Sequence, residues 1–114
     1  MDEYCQDYVH LALNVLSGKW KATILWHLRD RPIRFNELLR TIPNITKKML
    51  VQQLRQLEQD QIIHREVHNI VPPKVEYSVT EYGRTLCPVL NALHSWGEQH
   101  QVQIDQQQSE KDVV

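Results

Sequence analysis

The residues with the most chemistry to offer lie at 46–59, TKKMLVQQLRQLEQ. Lys48, Gln52, Arg55 and Gln59 recur at spacings of 4, 3 and 4, so a helix would gather them on one side. Leu50, Leu54 and Leu57, spaced 4 and 3, fall on the opposite side. A helix with one apolar face and one basic, amide-bearing face suits the major groove of duplex DNA, which admits a single α-helix. Gln52 can pair with adenine and Arg55 with guanine in bidentate geometry, each worth about 1–3 kcal/mol of discrimination. Thr46, Lys47 and Lys48 crowd the N-terminal end, where the helix dipole and free N–H groups face phosphates. Gln53 and Gln56 stand at the flanks and are weaker candidates. A merely solvated helix face has the same composition, so the neighbouring elements must decide between the two readings.

Those neighbours form a recognisable order. Residues 35–42 read as a short helix with Phe35, Leu38, Leu39 and Ile42 inward, followed by a Pro43-Asn44 turn. Thr46 is a good N-cap for the next helix, and Asp60-Gln61 ends it. Residues 62–70 have strand composition, and 75–79 alternate as a returning strand. The segment 71–74, Val-Pro-Pro-Lys, is the hairpin tip, because two prolines would spoil a ladder interior. Helix, turn, helix and hairpin in this order predict a winged helix-turn-helix, with a recognition helix at 46–59 and a wing at 63–79. Lys74 at the tip is the natural phosphate contact of that wing, with Arg65, His68 and Asn69 nearby. Arg34 and Asn36, at the start of the short helix, can also reach phosphates. Such contacts position a protein and make binding salt-dependent without reading sequence.

The flanking segments complete a mainly α architecture with one small β-hairpin. Residues 9–16 and 19–29 carry helical periodicity, separated by Ser17-Gly18. Thr80-Glu81 caps a further helix, and Pro88 is expected to divide the helical region that follows. After Gln103 the composition turns to glutamine and charge. Residues 1–103 are therefore expected to form one domain and 104–114 a polar, disordered tail.

The chain has 114 residues, 41% hydrophobic and 24% charged, which fits a single globular domain. Its net charge of −1 alone argues against nucleic acid. The distribution argues for it: residues 19–74 hold eleven basic against five acidic side chains, a local +6, which leaves −7 for the rest. No apolar run approaches the roughly 18 residues that would span a bilayer, and the acidic N-terminus is unlike a secretory signal. A cytoplasmic location is expected.

The apolar stripe Leu86, Val89, Leu90, Leu93 and Trp96, with Tyr4, Tyr8 and Leu11 of the first helix, exceeds what a domain this small can cover. That surplus predicts a homodimer, and two-fold symmetry would then require a near-palindromic DNA site.

GKWK at 18–21, RFNEL at 34–38, KMLVQQLRQLE at 48–58 and VPPKVEYSVTEYG at 71–83 resemble the HxlR family of bacterial winged-helix regulators. The likeness covers roughly residues 5–97, and the motifs are extended strings in the right order. It implies a homodimer on an inverted-repeat operator, joined through its N-terminal helix and C-terminal helices. It also directs attention to Cys5, since some members use a cysteine near this point as a redox or electrophile sensor, which would make an oxidant or small molecule the effector. Here the Cys-Pro pair frequent in the family is replaced by Cys5-Gln6, and Asp2, Glu3 and Asp7 oppose thiolate formation. Cys87 reads as a core thiol.

Enzymatic readings find no support. The three glycines make no phosphate loop, and no Ser-His-Asp or Cys-His arrangement is suggested. His94, Glu98 and His100 could be assembled into a metal site, but such residues on an exposed helix are usually solvated, so no metal or cofactor is expected. The competing non-enzymatic reading is a winged helix that serves as a protein–protein interaction module, in which Lys48, Gln52 and Arg55 would be dispensable.

Overall fold

The computed structural model describes residues 7–113, with side chains to residue 110. Two compact units divide after Arg84. The first contains α1 (Tyr8–Val15), α2 (Lys21–Leu28), β1 (Ile33–Arg34), α3 (Phe35–Thr41), α4 (Lys47–Gln59), β2 (Ile63–His68) and β3 (Lys74–Val79). A 3₁₀ turn, Gly83–Leu86, leads into α5 (Cys87–Val113). The fold is the expected winged helix-turn-helix.

The core of the first unit follows the apolar spacing of its helices. Ile24, Leu25 and Leu28 of α2, Leu38 of α3 and Leu50, Leu54 and Leu57 of α4 are almost entirely buried. The sheet closes this core with Ile33, Ile63, Tyr77 and Val79. It has three strands in the order β1-β3-β2, all antiparallel. The third strand is an addition to the expected hairpin: Ile33 pairs with Tyr77 and Arg34 with Glu76. Two residues are too few to carry a period, so pairing with β3 creates this strand.

Both ends of α4 fall where the sequence places them. Thr46 is its N-cap, accepting from the Met49 N–H at 3.1 Å. At the other end Ile62 N–H donates to Leu57 O and Gln61 N–H to Glu58 O, each at 3.0 Å, which is the Schellman pattern. Gln61 therefore takes a positive φ of 63°, where glycine is usual. Thr80 locks this corner to the wing. Its hydroxyl donates to Gln61 O at 2.7 Å and accepts from Gly83 N–H at 2.9 Å. A side chain at Gly83 would place its Cβ 2.1 Å from Ile62 O, so this close approach requires glycine.

Helix α5 departs from expectation twice. Pro88 divides nothing; it stands in the first turn, where its missing N–H breaks no intrahelical bond. The helix also runs unbroken past residue 103 to Val113, so the expected disordered tail at 104–114 is helical as far as it is described. Pairs four residues apart support it: His94 Nε2 lies 3.3 Å from Glu98 Oε1, Gln101 Nε2 donates to Asp105 Oδ1 at 3.0 Å, and the Trp96 and His100 rings stack at 4.9 Å.

Candidate nucleic-acid interface

Helix α4 turns its leucines inward and so presents Lys47, Lys48, Gln52, Arg55, Gln56 and Gln59 to solvent. Lys47, Lys48 and Arg55 form no ion pair among the described residues, nor do Arg34, Arg40 and Arg65. Other cations of the basic segment are occupied. Lys21 is buried and reaches Ser17 Oγ at 3.4 Å. Arg29 stacks on Trp26 with 3.7 Å to the ring centroid, and Arg31 pairs with Glu37 at 2.5 Å. Lys19 rests over Trp20 at 4.9 Å. The positive charge left for an anionic partner is thus concentrated on α4 and its immediate neighbours.

One groove runs beside this helix, and a second lies between the start of α3 and the wing. One, of about 420 Å³, is lined by Val51, Arg55, Glu58, Arg65 and Tyr77, and so brings a guanidinium of α4 and one of β2 to the same trough. The other, of about 460 Å³, joins Arg34, Phe35 and Asn36 to Arg65, Pro72, Pro73 and Lys74. The sheet register explains the first meeting. Arg65 sits opposite Tyr77, so it shares the inward-facing side of the sheet at its outer end.

Three candidates have other engagements. Gln53 is half-buried, and its Oε1 is buried without a hydrogen-bond partner among the described residues, so this side chain turns toward the protein. Thr46 is exposed, but its hydroxyl serves the helix cap. Lys74 is not at a free tip: it opens β3 opposite His68, and its Nζ lies 3.2 Å from Glu76 Oε1. His68 Nε2 approaches the same oxygen at 2.7 Å. The Lys74 hydrogen bond holds the Glu76 carboxyl below its usual range, and the Lys74 and His68 charges add to this against opposing desolvation. The tip itself, residues 69–73, is uncharged, with Val71 99% exposed and Ile70 also exposed.

Of the residues expected at a dimer contact, Tyr8, Leu11, Val89, Leu93 and Trp96 are exposed, whereas Leu86 is half-buried and Leu90 buried. Val9 and Leu13 add to the exposed apolar surface of α1, which buries no residue. Cys5 lies outside the described residues. Cys87 is a half-buried free thiol. No group of three potential metal ligands occurs among the described residues, and no helix there is long and apolar enough to cross a membrane.

A basic helix following a helix and turn, with a hairpin beside it, defines a winged helix-turn-helix DNA-binding protein. The chain belongs to the HxlR-like helix-turn-helix family, whose model matches residues 15–105. It is 53% identical over 97 residues to YdeP, an HTH-type transcriptional regulator of Bacillus subtilis, covering 85% of this chain and 76% of that protein. Among solved structures it resembles the redox regulator HypR in its reduced form, at 48% identity and a TM-score of 0.82 over 87% of this chain and 98% of that one. The oxidised form of HypR matches at 53% identity and a TM-score of 0.77, over 80% and 94%. The protein is a transcriptional regulator of this family.

Proposed function

We propose that this regulator acts as a homodimer, setting α4 of each copy in the major groove and its wing on the adjacent backbone or minor groove. The observation that carries this reading is the solvent-facing set Lys47, Lys48, Gln52 and Arg55, whose cations form no ion pair among the described residues, on a helix whose other face is locked in the core. Gln52 and Arg55 read base edges; Lys47, Lys48, Arg34, Asn36 and Arg65 hold phosphates. The uncharged tip at 69–73 fits beside the backbone by shape. Exposed Tyr8, Leu11, Leu93 and Trp96 supply the apolar surface for self-association. Genomic fragments captured by the pure protein should yield an inverted repeat with half-sites about one helical turn, roughly 34–36 Å, apart. Sedimentation should give a dimer. Failure to retain any duplex at low ionic strength would reject the reading, and would favour an interaction module instead.

A second reading, that Cys5 makes the regulator redox-responsive to an oxidant or electrophile, is supported by similarity to the reduced and oxidised forms of the redox regulator HypR. Cys5→Ser should bind DNA normally yet ignore diamide or quinones. A Cys5→Ser protein that still releases DNA on oxidation rejects the role.

A further inference from the structure

We propose that Glu76 sets the affinity of the wing for DNA by neutralising it from within, holding Lys74 on its own carboxylate instead of leaving it for phosphate. This deepens the DNA-binding reading and rests on it. The register places the participants. Along β3, Lys74, Glu76 and Ser78 share the solvent face, because Tyr77 and Val79 between and beyond them are buried. Opposite them stand His68, Glu66 and His64 on β2, and Arg34 on β1. Glu76 is thus the centre of a cross-strand cluster. One of its oxygens lies 3.2 Å from Lys74 Nζ and 2.7 Å from His68 Nε2, while Glu66 Oε2 lies 4.0 Å from the same histidine nitrogen.

Glu76 and Lys74 are only about a quarter exposed, so the pair lies against the sheet and does not reach outward. Lys74 is the one lysine or arginine in this row of the hairpin, against Glu66 and Glu76. A single ion pair that still touches water is weak, and DNA could draw Lys74 away. The Glu76 carboxylate would still remain, fixed on the strand beside the phosphates. A lysine leaving a fixed carboxylate for a phosphate exchanges one anion for another. Salt-dependent affinity arises from cations that displace condensed counterions with net positive charge, so the cluster adds little to it. The tip, residues 69–73, carries no charge of its own to add to it.

The test is a cycle of variants titrated against a fluorescein-labelled mixed-sequence duplex over a range of salt concentrations. Lys74→Ala alone should leave affinity within about twofold and the salt slope unchanged. Glu76→Gln should bind about five- to tenfold more tightly near 0.1 M salt and steepen the slope by about one unit. Glu76→Gln combined with Lys74→Ala should return to the parent value. No gain from Glu76→Gln, or a full-unit loss of slope from Lys74→Ala alone, overturns the inference. Should Glu76→Gln fail to fold, the Lys74→Ala slope still decides. An unmodified protein that ignores the duplex at low salt rejects DNA binding itself, an outcome distinct from any of these.

Discussion

Helix α4 carries Lys47, Lys48 and Arg55 against Glu58, a formal charge of +2, whereas residues 63–79 carry Arg65 and Lys74 against Glu66 and Glu76, a formal charge of zero with histidines neutral. Among the described residues the cations of the helix form no ion pair, whereas the wing ties Lys74 to Glu76. Geometry produces the contrast. A helix with leucines on one face projects its polar side chains radially, and three cations on α4 meet a single carboxylate. Along a strand, side chains two residues apart share one face, so Lys74 and Glu76 of β3 meet there, and pairing with β2 brings His68 to the same carboxylate. The two regions are therefore suited to different tasks: attraction and base reading on α4, fit by shape at the wing tip.

The largest effect bearing on this division should come from the corner that joins the two regions. Gly83→Ala forces a Cβ into Ile62 O and should cost about 3 kcal/mol of stability, measured by urea unfolding. A variant as stable as the parent would mean that the wing can shift relative to α4, and that their arrangement is not rigid.

Arg55→Ala comes next. Specific binding should weaken by about 1–3 kcal/mol, with selectivity relaxed at one base position in a selection experiment. Equal loss on all sequences would make Arg55 a phosphate contact and erase the division of labour. Thr46→Ala removes the cap hydrogen bond to Met49 and should lower stability by about 1 kcal/mol. Gln53→Met replaces a half-buried amide whose oxygen has no partner; stability should rise by about 1 kcal/mol with DNA affinity unchanged. Lost affinity would return Gln53 to the reading face.

The smallest effect concerns acid. Glu76 has a folded-state pKa below its ordinary 4.5, so it binds fewer protons folded than unfolded. Its contribution to stability is complete above the unfolded value and is lost as pH falls through the lower folded one. Wing amides should consequently shift below about pH 4.5 in NMR spectra, and Glu76→Gln should abolish that dependence. Wing resonances that shift equally in Glu76→Gln would assign the transition to other carboxyls.

Much of this was legible in the chain because it rests on short-range regularities. The 4–3 spacing of leucines fixed which side of α4 faces inward, the Thr46 cap fixed where it starts, and Pro72-Pro73 fixed where the hairpin turns. What escaped has longer-range causes. Strand β1 has only two residues and exists through its pairing with β3. The positive φ of Gln61 is imposed by a corner that Thr80 and Gly83 close from about 20 residues away. Past residue 103, composition suggested fraying, yet side-chain pairs four residues apart accompany a helix that continues.

The same limit applies to function. By itself the sequence determined that a basic, amide-bearing helix face exists and that a hairpin follows it, because local periodicity and turn chemistry are written residue by residue. Only the tertiary structure decided which cations remain available. It buried Lys21, paired Arg31 with Glu37, brought Arg65 to the groove of Arg55, and set Lys74 and His68 against Glu76. The availability of a charge depends on what stands within a few ångströms of it, and packing and strand pairing, which local periodicity does not carry, determine that.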